Sequence, residues 1–163
     1  MPVTAYLSLG SNLGDREANL REAIQRLDGL GTVTKVSSFY ETEPVEFTEQ
    51  PWFVNCAAEL ETNLSARELL NGMLAIEHGM GRERIQPKGP RLIDLDLLLF
   101  GDTVVHEHGL TVPHPAMHER RFVLEPVNEI APQAWHPTRC KTVGEMLEEL
   151  PAGAAVRRSS FRS

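Results

Sequence analysis

The chain has 163 residues, 24% of them charged, with a formal net charge of -7, the profile of one domain large enough to bury its own core. That acidic balance, with a sequence pI near 5.4, argues against a general nucleic-acid or membrane-surface binder, either of which needs a basic field. No apolar run is long enough to span a bilayer and no signal peptide is visible, so the cytoplasm is the default location; Cys56 and Cys140 have no metal-ligand spacing and suggest no disulfide framework.

VTAYLSLG (3–10) reads as a strand ended by Gly10. The turn GSNLGD (10–15) lacks the Gly-Lys-Ser/Thr ending of a Walker A loop and is not a dinucleotide fingerprint, so a capped strand-to-helix turn explains it. Asp15 to about Asp28 reads as an amphipathic helix with Leu20, Ala23, Ile24 and Leu27 on one stripe. Thr32 to Thr42 predicts a second strand, PVEFTEQP (44–51) a loop bounded by prolines, and Trp52 to Glu61 a third strand. Ser65-Ala66-Arg67-Glu68 is a capping box opening a helix through Leu69, Leu70, Met73, Leu74 and Ile76, with its stop at Gly79 or Gly81.

A charged loop, GRERIQPKGPR (81–91), leads into the strand GPRLIDLDLLLFG. A short hairpin is expected around Gly101-Asp102, returning to Val105, and Arg120 to Ile130 predicts a helix in which Pro126 sits near the first turn or makes a kink. Thr142 to Glu145 is a second capping box, opening a last short helix to Leu150. The order β-α-β-β-α-β suits a ferredoxin-like α+β sandwich, with an antiparallel sheet, helices on one face and the ligand site on the other. One domain spans 1–163, its core from about 3 to 150, and the tail 151–163 is expected to be flexible.

Strand alternation separates two faces. Ile93, Leu95, Leu97 and Leu99 point one way, and Asp94, Asp96, Leu98 and Phe100 the other. Phe53, Asn55 and Ala57 oppose Trp52, Val54 and Cys56, and Tyr6, Ser8 and Gly10 oppose Ala5, Leu7 and Leu9. Asp94 and Asp96 thus share a face about 6.6 Å apart. A solvated face with two surface carboxylates is the plainer reading of that pair. Leucines on both sides favour the sharper one, an oxygen-only site for Mg²⁺, or for two ions roughly 3.5–4 Å apart as in phosphoryl-transfer sites. Arg82, Arg84, Lys88 and Arg91 add weight to it, because carboxylate-bound metal beside forked guanidiniums is what polyphosphate chemistry requires. The loop's length and glycines would let it close as a lid. His114, held between two prolines in Val112-Pro113-His114-Pro115, suits a donor aimed at a phosphate, although a lone turn histidine usually means no more.

Taken in order, GSNLGD at 10–15, SSFYETEP at 37–44, QPWFVN at 50–55, the IE...GRER block at 76–84, GPRLIDLDLLLFG at 89–101, LTVPHP at 110–115 and RFVLEPVNEIAP at 121–132 resemble the bacterial hydroxymethyldihydropterin pyrophosphokinases of folate biosynthesis. The resemblance covers residues 4 to about 150. It implies transfer of pyrophosphate from ATP to the hydroxymethyl oxygen of a reduced pterin, giving AMP, with two Mg²⁺ ions; no nucleic-acid or membrane partner is expected, and no protein partner is implied. It further implies that Asp94 and Asp96 hold the ions, and that Arg82, Arg91 and Arg84 grip the phosphates with His114 and Arg120. Glu77, Thr111 and the backbone at Leu97 would place the nucleoside. Thr42, Val45 and Asn55 would read the pterin edge, Phe53 and Phe122 would stack on its rings, and Gly10 would let the backbone approach. Departures are local: Lys88, Leu74, Gly109 and Phe53 stand where some members carry a tryptophan, a polar residue, a basic residue and a tyrosine. Two rivals are a metal-dependent phosphohydrolase, which would release phosphate from ATP without pterin, and a non-catalytic nucleotide- or pterin-binding module, which would bind without turnover.

Overall fold

The computed structural model describes residues 2–42, 52–81, 92–151 and 156–158. β1 (Val3–Ser11) runs into α1 (Arg16–Leu27) through a turn capped by Asp15, whose carboxylate accepts from the Ala18 N–H. Gly14, at φ +71°, supplies the left-handed residue this turn needs. The second strand is broken into β2 (Thr32–Val36) and β3 (Tyr40–Thr42). At the break the Ser37 hydroxyl accepts the Ala57 N–H, standing in for a strand carbonyl. β4 (Phe53–Thr62) and α2 (Ala66–Gly79) follow, the latter with both halves of the Ser65/Glu68 capping box formed. β5 (Asp94–Phe100) completes the core.

The sheet order is β5-β1-β4 with β2 and β3 both on the far side of β4, and every pairing is antiparallel. This is the ferredoxin-like arrangement that the element order predicts. Ala5, Leu7, Leu9, Val54, Cys56, Ala58, Leu60, Leu95 and Leu97 bury one face against α1 and α2. The α1 stripe behaves as expected, but Leu74 of α2 is 49% exposed and lies off the core side.

The chain beyond β5 departs from the sequence expectation in five respects. No hairpin returns from Gly101 onto β5; instead β6 (Val105–Glu107) pairs with β7 (Leu110–Val112) around a turn with Gly109 at φ +75°. The expected third helix is α3 (Arg121–Ile130), and Pro126 lies inside it rather than in its first turn. A small hairpin, β8 (Trp135–His136) with β9 (Lys141–Thr142), leads to α4 (Val143–Glu148), opened by the predicted Thr142/Glu145 capping box. Helices are not confined to one face. α3 and α4 pack on the second face, where Val123, Leu124, Val127, Val143 and Met146 cluster with Ala57, Leu98 and Leu99. Finally, part of the tail joins the sheet: β10 (Val156–Arg158) pairs with β3, placing Val156 beside Thr42.

A β-bulge changes the alternation in β5. Leu7 pairs with Leu97 but Tyr6 with Leu99, so Leu98 is the extra residue. Leu98 and Leu99 therefore both pack under α3 and α4, while Phe100 returns to the first core. Strict alternation assigns Leu99 and Phe100 to the wrong faces, because it assumes an unbroken ladder. The bulge has a partner: the Leu98 carbonyl accepts the His114 N–H at 2.9 Å, tying the segment after β7 to the middle of β5.

His136 is 3% exposed, and its Nδ1 accepts from the Arg139 N–H. Burial, then His118 and Arg139, holds it below the ordinary histidine value of 6.5. A folded-state value below the unfolded one means the unfolded chain takes up more protons, so this contribution is complete above 6.5 and is lost as pH falls. Melting temperature should drop from about pH 7.5 to about pH 5.5, across the histidine range. His136→Asn, which keeps an acceptor near Nδ1, should show a smaller drop; an unchanged drop would break the link.

Candidate active site

Among the described residues, α3 and α4 cover only part of the second face and leave open the end carrying the aspartates. There the pairings form one row across four strands: Asp94 beside Gly10, Gly10 beside Asn55, and Asn55 beside Tyr40. Row neighbours lie about 4.8 Å apart, which sets Asp94 and Asn55 roughly 10 Å apart with a bare glycine between them. A Cβ on Gly10 would stand 2.6 Å from Asn55 Nδ2 and 3.5 Å from the Phe53 ring. The strip between carboxylate and amide is thus open because residue 10 has no side chain.

Asn55 is 4% exposed. Its Oδ1 accepts the Thr42 hydroxyl at 2.7 Å and its Nδ2 donates to the Leu9 carbonyl at 3.5 Å. Two strands therefore fix the amide's orientation before any ligand arrives. Phe53, two residues along β4 on the same face, is half-buried. Phe122 is half-buried at the start of α3, with the Arg120 guanidinium 5.7 Å from its ring centroid.

Asp94 and Asp96 are half-buried on the open face. His114 Nε2 lies 3.9 Å from Asp96 Oδ1. Its Nδ1 accepts the Ala116 N–H, which leaves the ring proton on Nε2, toward Asp96. Burial, reinforced by Arg120, holds this imidazole below the ordinary histidine range, with Asp94 opposing them. Among the described residues no group of three carboxylates, histidines or thiols could hold a metal ion. Two carboxylates without a third protein ligand still fit Mg²⁺, which takes hard oxygen donors and fills the remainder of its shell with water and substrate phosphate. They fit zinc poorly, since zinc sites hold three or four protein ligands, most of them histidine or cysteine.

Glu77 has a different place. Its carboxylate is 4% exposed and accepts the Leu95 N–H at 2.6 Å, on the side of β5 away from β1. A buried acceptor there holds the outer edge of the strand, between the two aspartates. Among the described residues, those that wall the groove beside that edge do not include Glu77. The groove, about 280 Å³, is walled by Leu70, Leu95, Leu97, Leu110 and Thr111, with Asp96 and His114 at one end. An apolar slot ending in a carboxylate and a histidine suits a flat base leading to a polar tail.

The structure thus gathers the proposed site residues into two groups. Gly10, Thr42, Phe53, Asn55, Asp94 and Asp96 meet on the open sheet face, and Leu97, Thr111 and His114 meet in the groove with Asp96 as the shared member. Arg120 and Phe122 form a third, smaller pair at the head of α3. Val45, Arg82, Arg84 and Arg91, and with them the expected lid, lie outside the described residues. Sequence reasoning overlooked Leu70 and Leu110 as groove walls, since apolar spacing marks them only as core. It also overlooked Glu129, whose carboxylate accepts from the Ser38 N–H, the Ser38 hydroxyl and the Tyr40 hydroxyl, fastening α3 to the break between β2 and β3. An acidic residue near the end of a helix, against the helix dipole, was the available signal.

Fold and site together define a class: a ferredoxin-like sandwich with an apolar groove at one sheet edge and a sheet face carrying paired carboxylates and a fixed amide. Comparison with known proteins narrows it. The family model for 7,8-dihydro-6-hydroxymethylpterin-pyrophosphokinase matches residues 6–132. A 2-amino-4-hydroxy-6-hydroxymethyldihydropteridine pyrophosphokinase of Bacillus subtilis is 50% identical over 131 residues, covering 79% of this chain and 78% of that one. A folic acid synthesis protein of Schizosaccharomyces pombe is 40% identical over 160 residues, but the match covers only 22% of its length. Among solved structures, a Plasmodium falciparum HPPK-DHPS with pterin and p-hydroxybenzoate superposes with a TM-score of 0.71 at 17% identity, over 91% of this chain and 42% of that one, a likeness of fold. The chain belongs to the 7,8-dihydro-6-hydroxymethylpterin-pyrophosphokinase family.

Proposed function

We propose that the protein transfers the terminal pyrophosphoryl group of ATP to the hydroxymethyl oxygen of 6-hydroxymethyl-7,8-dihydropterin, releasing AMP, with a pair of Mg²⁺ ions held by Asp94 and Asp96. The observation that carries this reading is the row Asp94–Gly10–Asn55. It offers a carboxylate for the phosphate end and a prearranged amide for a heterocycle edge, with a gap where a planar ring can lie against the backbone.

In this reading Thr42, Val45 and Asn55 recognise the pterin edge, Phe53 and Phe122 face its rings, and Gly10 leaves the approach clear. The base of ATP occupies the groove along Leu97 and Thr111, and Glu77 keeps β5 in register beneath it. The triphosphate runs past His114 toward Asp96, with Arg120, Arg82, Arg84 and Arg91 on its oxygens. Bound Mg²⁺ supplies charge neutralisation on the phosphate oxygens. The pterin hydroxyl attacks the β-phosphorus in line, and the α-phosphate leaves with the nucleoside. Among the described residues, the open face presents no general base apart from the two carboxylates assigned to the metal. Fixed positioning by the amide and the arginines supplies what such a step needs.

Incubation with ATP, Mg²⁺ and the pterin should yield AMP and pterin diphosphate in equal amounts, without ADP. Without pterin, little AMP should form. ADP with a pterin monophosphate would place the attack on the wrong phosphorus, and phosphate release in the absence of pterin would favour the hydrolase.

A further inference from the structure

Arg67 occupies the first turn of α2, two residues after its N-cap Ser65. A cation there opposes the helix dipole, so local helix chemistry gives no reason for it. Its guanidinium leaves the helix and reaches the β6–β7 hairpin, where one Nη donates to the Glu107 carboxylate at 3.1 Å and to the His108 carbonyl at 2.9 Å. Its other Nη would stand 3.8 Å from a Cβ on Gly109.

This hairpin needs an external tie. Each strand has three residues, and a two-stranded ribbon of that size is marginal by itself. Val112 is buried at its base and Leu110 is buried beside the turn, whereas His106, Glu107, His108 and Gly109 are exposed. Gly109, Leu110 and Thr111 form one wall of the groove, and Leu70, three residues along α2 from Arg67, forms part of the facing wall. Arg67 therefore links the helix that supplies Leu70 to the hairpin that supplies Gly109, Leu110 and Thr111.

We propose that Arg67 is a positioning residue for the nucleotide: by bolting the tip of the β6–β7 hairpin to α2, it sets the width of the slot that receives the base. The inference rests on the groove being the ATP site. Arg67 touches neither the acceptor row nor the aspartates, so its effect falls on nucleotide affinity alone. An exposed ion pair contributes little to overall stability. Both bonds leave one Nη, whose two hydrogens are fixed in the guanidinium plane; a lysine ammonium, on a shorter and freely rotating end, lacks that fixed orientation.

The experiment is calorimetric titration of the intact protein with a non-hydrolysable ATP analogue plus Mg²⁺, and separately with the pterin, alongside steady-state rates. Arg67→Ala should weaken analogue binding and raise the KM for ATP by roughly three- to tenfold, the scale of one lost hydrogen bond. Pterin affinity, kcat at saturating ATP and melting temperature should stay near wild type. Arg67→Lys should fall between wild type and alanine. Unchanged analogue affinity in Arg67→Ala overturns the proposal, and so does an equal loss of pterin affinity, which would make the residue a general structural tie. Failure of the wild-type protein to bind the analogue would overturn the pyrophosphokinase reading itself, a result that the Arg67 variants cannot imitate.

Discussion

Asp94→Ala and Asp96→Ala should each lower turnover by roughly a hundredfold to a thousandfold or more, the loss expected when a charge-stabilising group is taken from a transition state. Neither should unfold the protein. Both side chains are half-buried on the open face, while Leu95 and Leu97, which hold β5 to the core, point the other way and are untouched. Glu77 still caps the Leu95 N–H, so the strand edge keeps its anchor. The two substitutions should differ in one respect. Asp96 shares its surroundings with His114, and its loss removes the carboxylate oxygen 3.9 Å from the imidazole Nε2. Asp96→Ala should therefore disturb nucleotide binding in the groove as well as magnesium dependence, whereas Asp94→Ala should act chiefly on the latter. Circular dichroism, magnesium-dependent titration with an ATP analogue and single-turnover rates separate these effects. Near-normal turnover in either variant would remove the paired carboxylates from the reaction.

Gly10→Ala is expected to cost nearly as much on the acceptor side. Residue 10 is not at a positive φ, so alanine is allowed on backbone grounds and the conflict is with its neighbour. The new methyl would lie 2.6 Å from Asn55 Nδ2, closer than real Cβ contacts allow. A flexible surface side chain would move aside cheaply. Asn55 is 4% exposed and held by Thr42, so moving it means breaking the 2.7 Å bond that orients the amide. The methyl would also fill the strip along which a ring must lie. Pterin affinity should fall by about tenfold to a hundredfold, one to two hydrogen bonds' worth, while affinity for the ATP analogue stays close to wild type. A double variant tests the cause. With Asn55→Ala in place the amide clash is gone, so adding Gly10→Ala should cost much less than it does alone. If the two losses simply add, the methyl acts by some route other than the amide.

Local rules carried the sequence a long way toward this architecture. Capping boxes at Ser65 and Thr142, the apolar stripe of α1 and the alternation of β1 and β4 all hold, because each depends on residues a few positions apart. The order of those elements selects the ferredoxin-like sheet, since few antiparallel arrangements satisfy its connections. Two carboxylates on one strand face, and the ordered motifs around them, were enough to point to the family. Spacing along one chain cannot show which strands become neighbours. The sequence therefore places Asp94, Gly10 and Asn55 on the same kind of face without showing that they form a row, and the close approach that requires glycine at position 10 exists only once β1 lies between β5 and β4.

The remaining features arise from contacts distant in sequence. A bulge at Leu98 reverses the end of β5, and nothing local in LLLF announces it; it is fixed by the pairing with β1, and its carbonyl is taken by His114, sixteen residues on. Leu70 and Leu110 read alike as core until α2 and the hairpin come together and leave a groove between them. The charged residues Glu77, Glu129 and Arg67 each satisfy a backbone group on another element, and side-chain type reveals no such partner in advance. What the sequence by itself determined were the elements, their faces and the chemistry at their ends. Which of those ends meet was decided by the tertiary structure, because packing and hydrogen bonding act between surfaces that only the folded chain brings within reach.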